Sequence, residues 1–257
     1  MKSKSFLALS LITLALSACG SQSSDSSAKI VGGTAVTANN EIAKSTVIMM
    51  QNGKTVCSGV LIAPRLVVSA AHCYYLLNKN KPVTIGFGLS EKKVKQVLVE
   101  AFVPNAAYDA AAGTQGSTVI PVNDISVLAL AEDAPAGYEP VRMLTESDDV
   151  DVGETVTLAG FGKTDIKSGW FGTLSGVLYE VDTRVVTLAP QSKEVWLEAD
   201  AGKGACNGDS GGPAFVRVGG ELRLLGVTSR ARECKFDFIY TDLRYFQKWI
   251  RDTSSNF

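Results

Sequence analysis

The chain has 257 residues, 46% of them hydrophobic and 20% charged, ordinary globular proportions with length enough for one large or two medium cores. Its 25 basic and 26 acidic residues leave a formal net charge of -1. That balance offers no electrostatic footprint for nucleic acid and no polybasic run for anionic lipid, so no nucleic-acid partner is expected.

In chain order, the first residues read as an export signal. Lys2 and Lys4 precede an apolar run from Phe6 to Leu16, and small residues follow. The run is roughly half the length of a bilayer-spanning helix, and no later stretch approaches about 20 uninterrupted apolar residues. Leu16-Ser17-Ala18-Cys19 resembles the lipobox of bacterial lipoproteins. The resemblance implies a signal peptide over residues 1–18 and a diacylglycerol on Cys19; the plainer alternative is a small-residue cleavage site with an incidental cysteine. It predicts an exported precursor held at the outer membrane or periplasmic face. Residues 19–29, Ser-rich from Ser21 to Ala28, read as a flexible tether. Of five cysteines Cys19 is the odd one, and Cys57, Cys73, Cys206 and Cys234 remain for two disulfides, as suits an oxidising compartment.

Short apolar segments then alternate with turn signals, which predicts an all-β plan. Thr46 to Met50, Asn52-Gly53 and Thr55 to Ile62 read as a hairpin with a tight positive-φ turn. Leu66 to Ser69, Glu154 to Ala159, Val177 to Leu188 and Leu222 to Thr228 read as further strands, and Glu91 to Glu100 as a strand with one wet face. Ala110 to Ser117 is small-residue filler with no assignable chemistry. Leu243, Phe246, Trp249 and Ile250 recur at three- and four-residue steps and predict a closing helix. Gly160-Phe161-Gly162-Lys163-Thr164 ends like a phosphate-binding loop, but Thr157 stands where that pattern needs its first glycine, so no nucleotide site is expected.

Three segments carry candidate chemistry. The chain's one histidine, His72, follows a strand and precedes Cys73. A Cys57–Cys73 bridge would close a loop of about 15 residues, worth roughly 3 kcal/mol, and hold the imidazole's backbone rigidly. Gly208-Asp209-Ser210-Gly211-Gly212-Pro213 places a serine among glycines, a turn by default. It is also the backbone that hydrolysis needs, with an exposed hydroxyl and N–H groups free to converge on a developing oxyanion. Asn123-Asp124-Ile125-Ser126-Val127-Leu128 sets a carboxylate against an apolar strand, where it needs a partner; His72 is a candidate.

With Ile30-Val31-Gly32-Gly33 and Ile239-Tyr240-Thr241, these segments resemble, in order, the trypsin-like serine endopeptidases of the chymotrypsin fold, over residues 30 to about 252. The resemblance implies two antiparallel β-barrels, at 30–140 and at 141–257 with a C-terminal α-helix. It implies Ser210 as nucleophile, His72 as general base then acid, and Asp124 as the carboxylate that fixes the imidazole. The N–H groups of Gly208 and Ser210 would form the oxyanion hole, and Cys206 and Cys234 the second bridge. Cleavage at Lys29-Ile30 by an activating protease would free an α-ammonium to pair with Asp209, and would also cut the chain from its lipid. That pairing predicts alkaline inactivation as the ammonium deprotonates.

The primary specificity pocket departs from the pattern. Gly204 occupies the floor position where trypsins carry aspartate, and Ser229-Arg230-Ala231 stands where Ser-Trp-Gly is common. Phe238 pointing inward would admit only a small side chain; Asp237 pointing inward would admit a basic one. Small or medium apolar residues are expected in preference to Arg or Lys. Substrates are expected to be proteins or peptides, the protein a monomer, with no metal or other cofactor. The alternative is a binding module that keeps the protease fold without turnover.

Overall fold

The structure, a computed structural model, describes residues 32–114, 122–162, 174–198, 204–232 and 236–257. Cys19, Lys29, Ile30 and Cys234, with the signal and tether readings, lie outside the described residues. Two closed six-stranded antiparallel barrels and a short C-terminal helix make up the fold, as the resemblance implies.

The first barrel joins β2 (Thr46–Gln51), β3 (Lys54–Ala63), β4 (Leu66–Ser69), β5 (Val83–Phe87), β6 (Lys95–Pro104) and β7 (Ser126–Leu130) in the order β2-β3-β4-β7-β6-β5. The β2–β3 hairpin turns where expected, with Asn52 at φ 54° and Gly53 at φ 73°. Strand β2 is a continuous apolar run because both its faces are covered. Val47 and Met49 fill the barrel interior, whereas Ile48 and Met50 pack into the core shared with the second barrel.

The second barrel joins β9 (Thr155–Gly160), β10 (Tyr179–Ala189), β11 (Glu194–Leu197), β12 (Pro213–Val218), β13 (Glu221–Arg232) and β14 (Phe236–Asp242). Their order is β10-β11-β14-β13-β12-β9, closed by β9 on β10. Two short strands decorate it: β8 (Arg142–Met143) runs parallel to β13, and β1 (Thr34–Ala35) pairs with β10. The stretch ahead of β2 therefore places its strand on the second barrel.

Helix α1 (Ala71–Leu76) follows β4, and α2 (Ala110–Thr114) forms in the stretch read as filler. The closing helix is split. Leu243–Phe246 is a 3-10 turn and α3 (Gln247–Ser254) follows it. The three-residue step from Leu243 to Phe246 suits three residues per turn. Leu243, Phe246 and Ile250 all enter the shared core, so this element seals the junction between the barrels.

Candidate active site

The junction positions His72, Asp124 and Ser210 from three segments. Strand β4 ends at Ser69, and Ala70, extended at φ -80° and ψ 146°, turns the chain into α1, which presents His72. The Cys57–Cys73 disulfide ties this helix to β3, the first pairing expected from the sequence. Asp124 precedes β7 and is 2% exposed. Its Oδ1 accepts the His72 backbone N–H at 2.9 Å, and its Oδ2 lies 2.8 Å from His72 Nδ1. Because a carboxylate only accepts, this contact puts the imidazole proton on Nδ1 and leaves a lone pair on Nε2. Burial alone would lower the His72 pKa, but the Asp124 charge and hydrogen bond outweigh it, and the pKa is raised above the ordinary 6.5.

Ser210 and His72 line one cleft of about 290 Å³, with Asp124, Tyr108, Ser229, Arg230 and Ala231 on its walls. Among the described residues no hydrogen bond joins the Ser210 hydroxyl to Nε2. The two groups meet across the cleft, and catalytic contacts of this kind tighten when substrate binds.

The Ser210 loop is anchored by a residue that sequence reasoning missed. The Ser58 N–H donates to the Ser210 carbonyl at 2.8 Å, and its hydroxyl donates to the Gly208 carbonyl at 3.0 Å. That hydroxyl also accepts the Phe161 N–H at 3.2 Å. Gly208 sits at φ 96°, a left-handed conformation that only glycine adopts readily, and a Cβ there would strike Leu174 and the Gly162 backbone. The N–H groups of Asp209, Gly211 and Gly212 all bond to backbone carbonyls. Among the described residues those of Gly208 and Ser210 donate to no protein acceptor, as an oxyanion hole requires.

Asp209 is 1% exposed, and its carboxylate accepts N–H bonds from Gly162 and Cys206, both at 2.8 Å. Burial pushes its pKa up to about 7, against the lowering effect of those two bonds. No cation reaches it among the described residues. Gly160 and Gly162, the glycines of the apparent phosphate loop, wall this carboxylate: a Cβ at either would overlap it.

The expected specificity residues divide. Ser229 and Ala231 line the cleft. Phe238 is fully buried, and its ring lies so close over the Gly204 backbone that a Cβ there would overlap it. Gly204 does not line the cleft and borders a separate hollow with Thr155 and Glu198. Phe238 belongs to the core of the second barrel and does not line the cleft; the Asp237 side chain lies outside the described part. Cys206 is disulfide-bonded. Ser229 has a further role: its hydroxyl donates to Asp124 Oδ2 at 2.7 Å. Thr241, from the Ile-Tyr-Thr segment, donates from its hydroxyl to the Asp124 carbonyl at 2.8 Å.

Known proteins carry the same framework. Brachyurin of Leptuca pugilator is 30% identical over 210 residues, covering 76% of this chain and 86% of the relative. Trypsin of Phaedon cochleariae is 26% identical over 221 residues, covering 76% and 78%. A mutant of human heparin binding protein superposes with a TM-score of 0.72 at 21% identity, covering 88% of this chain and 97% of that one, a likeness of fold. The trypsin family profile matches residues 30–250, and the chain belongs to the trypsin family of serine proteases.

Proposed function

We propose that the chain is a serine endopeptidase in which Ser210, His72 and Asp124 form the catalytic triad. The His72–Asp124 contact at 2.8 Å, facing Ser210 across one cleft, carries this reading. His72 Nε2 takes the Ser210 proton as Oγ attacks the substrate carbonyl, and the Gly208 and Ser210 N–H groups hold the developing oxyanion. As the peptide C–N bond breaks, the imidazolium returns that proton to the departing amine. Water then attacks the acyl ester by the same route and frees Ser210. The binding-module alternative draws on the heparin-binding relative, but all three triad members are present, and a net charge of -1 offers a polyanion little attraction. A fluorophosphonate serine reagent should label the chain that begins at Ile30 stoichiometrically, and Ser210→Ala should abolish labelling. Absence of labelling, or labelling that survives the substitution, refutes the reading.

Phe238 over Gly204 supports a preference for small side chains at the scissile bond. The protein is made as a lipidated precursor on Cys19 and is activated by cleavage at Lys29-Ile30, which also releases it from the membrane as a monomer. With Gly204 at the position where trypsins carry aspartate, a lysine side chain finds no counter-charge there, so the activator is a different, trypsin-like protease. Added to membranes carrying the Ser210→Ala precursor, trypsin should release a soluble chain beginning at Ile30, whereas the mature enzyme should not. Release by the mature enzyme at that bond would refute the pocket assignment.

A further inference from the structure

The hydrogen bonds that hold Asp124 continue outward through two residues that the catalytic scheme leaves unused. Strand β13 pairs Thr228 with Tyr240 and Arg230 with Ile239, so Ser229 is an extra residue in the ladder. Such a bulge re-aims side chains, and here it lets two consecutive ones converge. The Ser229 hydroxyl gives its hydrogen to Asp124. Its lone pairs face Arg230, whose Nη1 lies 3.4 Å away. The same guanidinium grips Glu194 on β11, with Nη1 to Oε1 at 2.5 Å and Nη2 to Oε2 at 3.1 Å. The Glu194 side chain is 2% exposed and that of Arg230 is 21% exposed. The two-pronged contact fixes the plane of the guanidinium.

We propose that Arg230, braced by Glu194, is a positioning residue for the catalytic carboxylate: it holds the Ser229 hydroxyl on Asp124 and so limits how strongly Asp124 stabilises the His72 imidazolium. A hydroxyl that accepts from a cation is polarised and becomes a stronger donor, which draws charge from the Asp124 oxygen that His72 uses. Other ionisable groups around His72 do not duplicate it. Tyr108 on the cleft wall stays neutral, since burial and then the Asp124 charge push its pKa up to about 12. Lys79 lies over the Tyr74 ring, and Asp109 caps the first turn of α2. The adjacent Cys57 and Cys73 are bridged and carry no charge. Tryptophan, common at the position of Arg230 in trypsin-like sequences, could not make this contact.

The chain has one histidine, so NMR of histidine-labelled protein reads His72 directly, without substrate. In Arg230→Gln/Glu194→Gln, which leaves no orphaned carboxylate, the His72 pKa should rise by about half a unit. Its Nδ1–H resonance should shift and exchange faster with water. Arg230→Lys, which keeps the cation without the fork, should move the pKa less. Ser229→Ala tests the same path from its inner end and should raise the pKa similarly, with no further change when the double substitution is added. An unchanged pKa and Nδ1–H signal in either the folded double variant or Ser229→Ala overturns the proposal. The proposal rests on the triad reading for its effect on turnover alone. Failed serine labelling alongside this shift would refute the hydrolase and leave the positioning intact, and the converse would refute only the positioning.

Discussion

Replacing Asp124 with asparagine should lower kcat of the cut enzyme on the order of 10⁴-fold while the fold stays intact, by analogy with the trypsin-family template. Asp124 accepts three side-chain and backbone donors through its two oxygens: the His72 N–H, His72 Nδ1 and the Ser229 hydroxyl. An amide offers one carbonyl oxygen and one NH2 group. If the oxygen keeps the His72 backbone N–H, the NH2 faces Nδ1 and forces the imidazole proton onto Nε2, the nitrogen that must accept from Ser210. If the amide flips, the backbone donor of α1 is opposed instead. Ester hydrolysis by the two proteins, with thermal unfolding as a control on folding, checks this. A loss under roughly tenfold would remove Asp124 from the triad.

If Lys29-Ile30 is the activating bond, stability should be lost with rising pH in different windows before and after its cleavage. In the uncut chain Asp209 is buried without a cation among the described residues, and its pKa stands at about 7 rather than 3.8. A folded-state pKa raised above the unfolded one stabilises the fold fully below the unfolded value, and that stability is lost as pH rises through the folded value. The loss between pH 4 and pH 7 is roughly 3 kcal/mol, a large share of a typical folding free energy. Under the proposed activation, the Ile30 ammonium of the cut chain would supply the missing charge and keep the carboxylate ionised. Its own pairing contribution would be present below the ordinary α-amino range of about 8 and would disappear as pH rises through the value that pairing raises. Urea midpoints of both forms, each carrying Ser210→Ala to prevent digestion, should therefore fall from pH 4 to pH 7 for the uncut chain. For the cut chain they should hold until alkaline pH. Parallel profiles would count against an Ile30–Asp209 pair.

What the sequence reveals follows from how locally each feature is encoded. Asn52-Gly53 announces its hairpin because the positive φ angles are properties of those two residues, and Leu66–Ser69 reads as a strand from composition alone. His72, Asp124 and Ser210 are legible through their neighbours, although their contacts span the whole chain. Strand β11 is only four residues long and opens on Glu194, whose partner lies 36 residues away, so no local pattern marks it. Ser58 is equally silent, since its bonds to Ser210, Gly208 and Phe161 all go to distant backbone. The orientations of Phe238 and Asp237 depend on strand register, which the shortened return from Cys234 obscures in the sequence; Phe238 is buried in the barrel core. Gly160 and Gly162 resemble a nucleotide loop because close approach by any anion, here the carboxylate of Asp209, selects the same residue.

The pairing of β1 with β10 sets an order on biosynthesis. Every strand of the first barrel lies between Thr46 and Leu130, so that barrel can close while later residues are still being translated. Thr34 and Ala35 emerge earlier but must wait for Glu180 and Tyr179, about 145 residues later, before they find their ladder partners. This segment is thus made before the first barrel yet fastened after it, and a nascent chain stalled after the first barrel would leave it open to proteolysis.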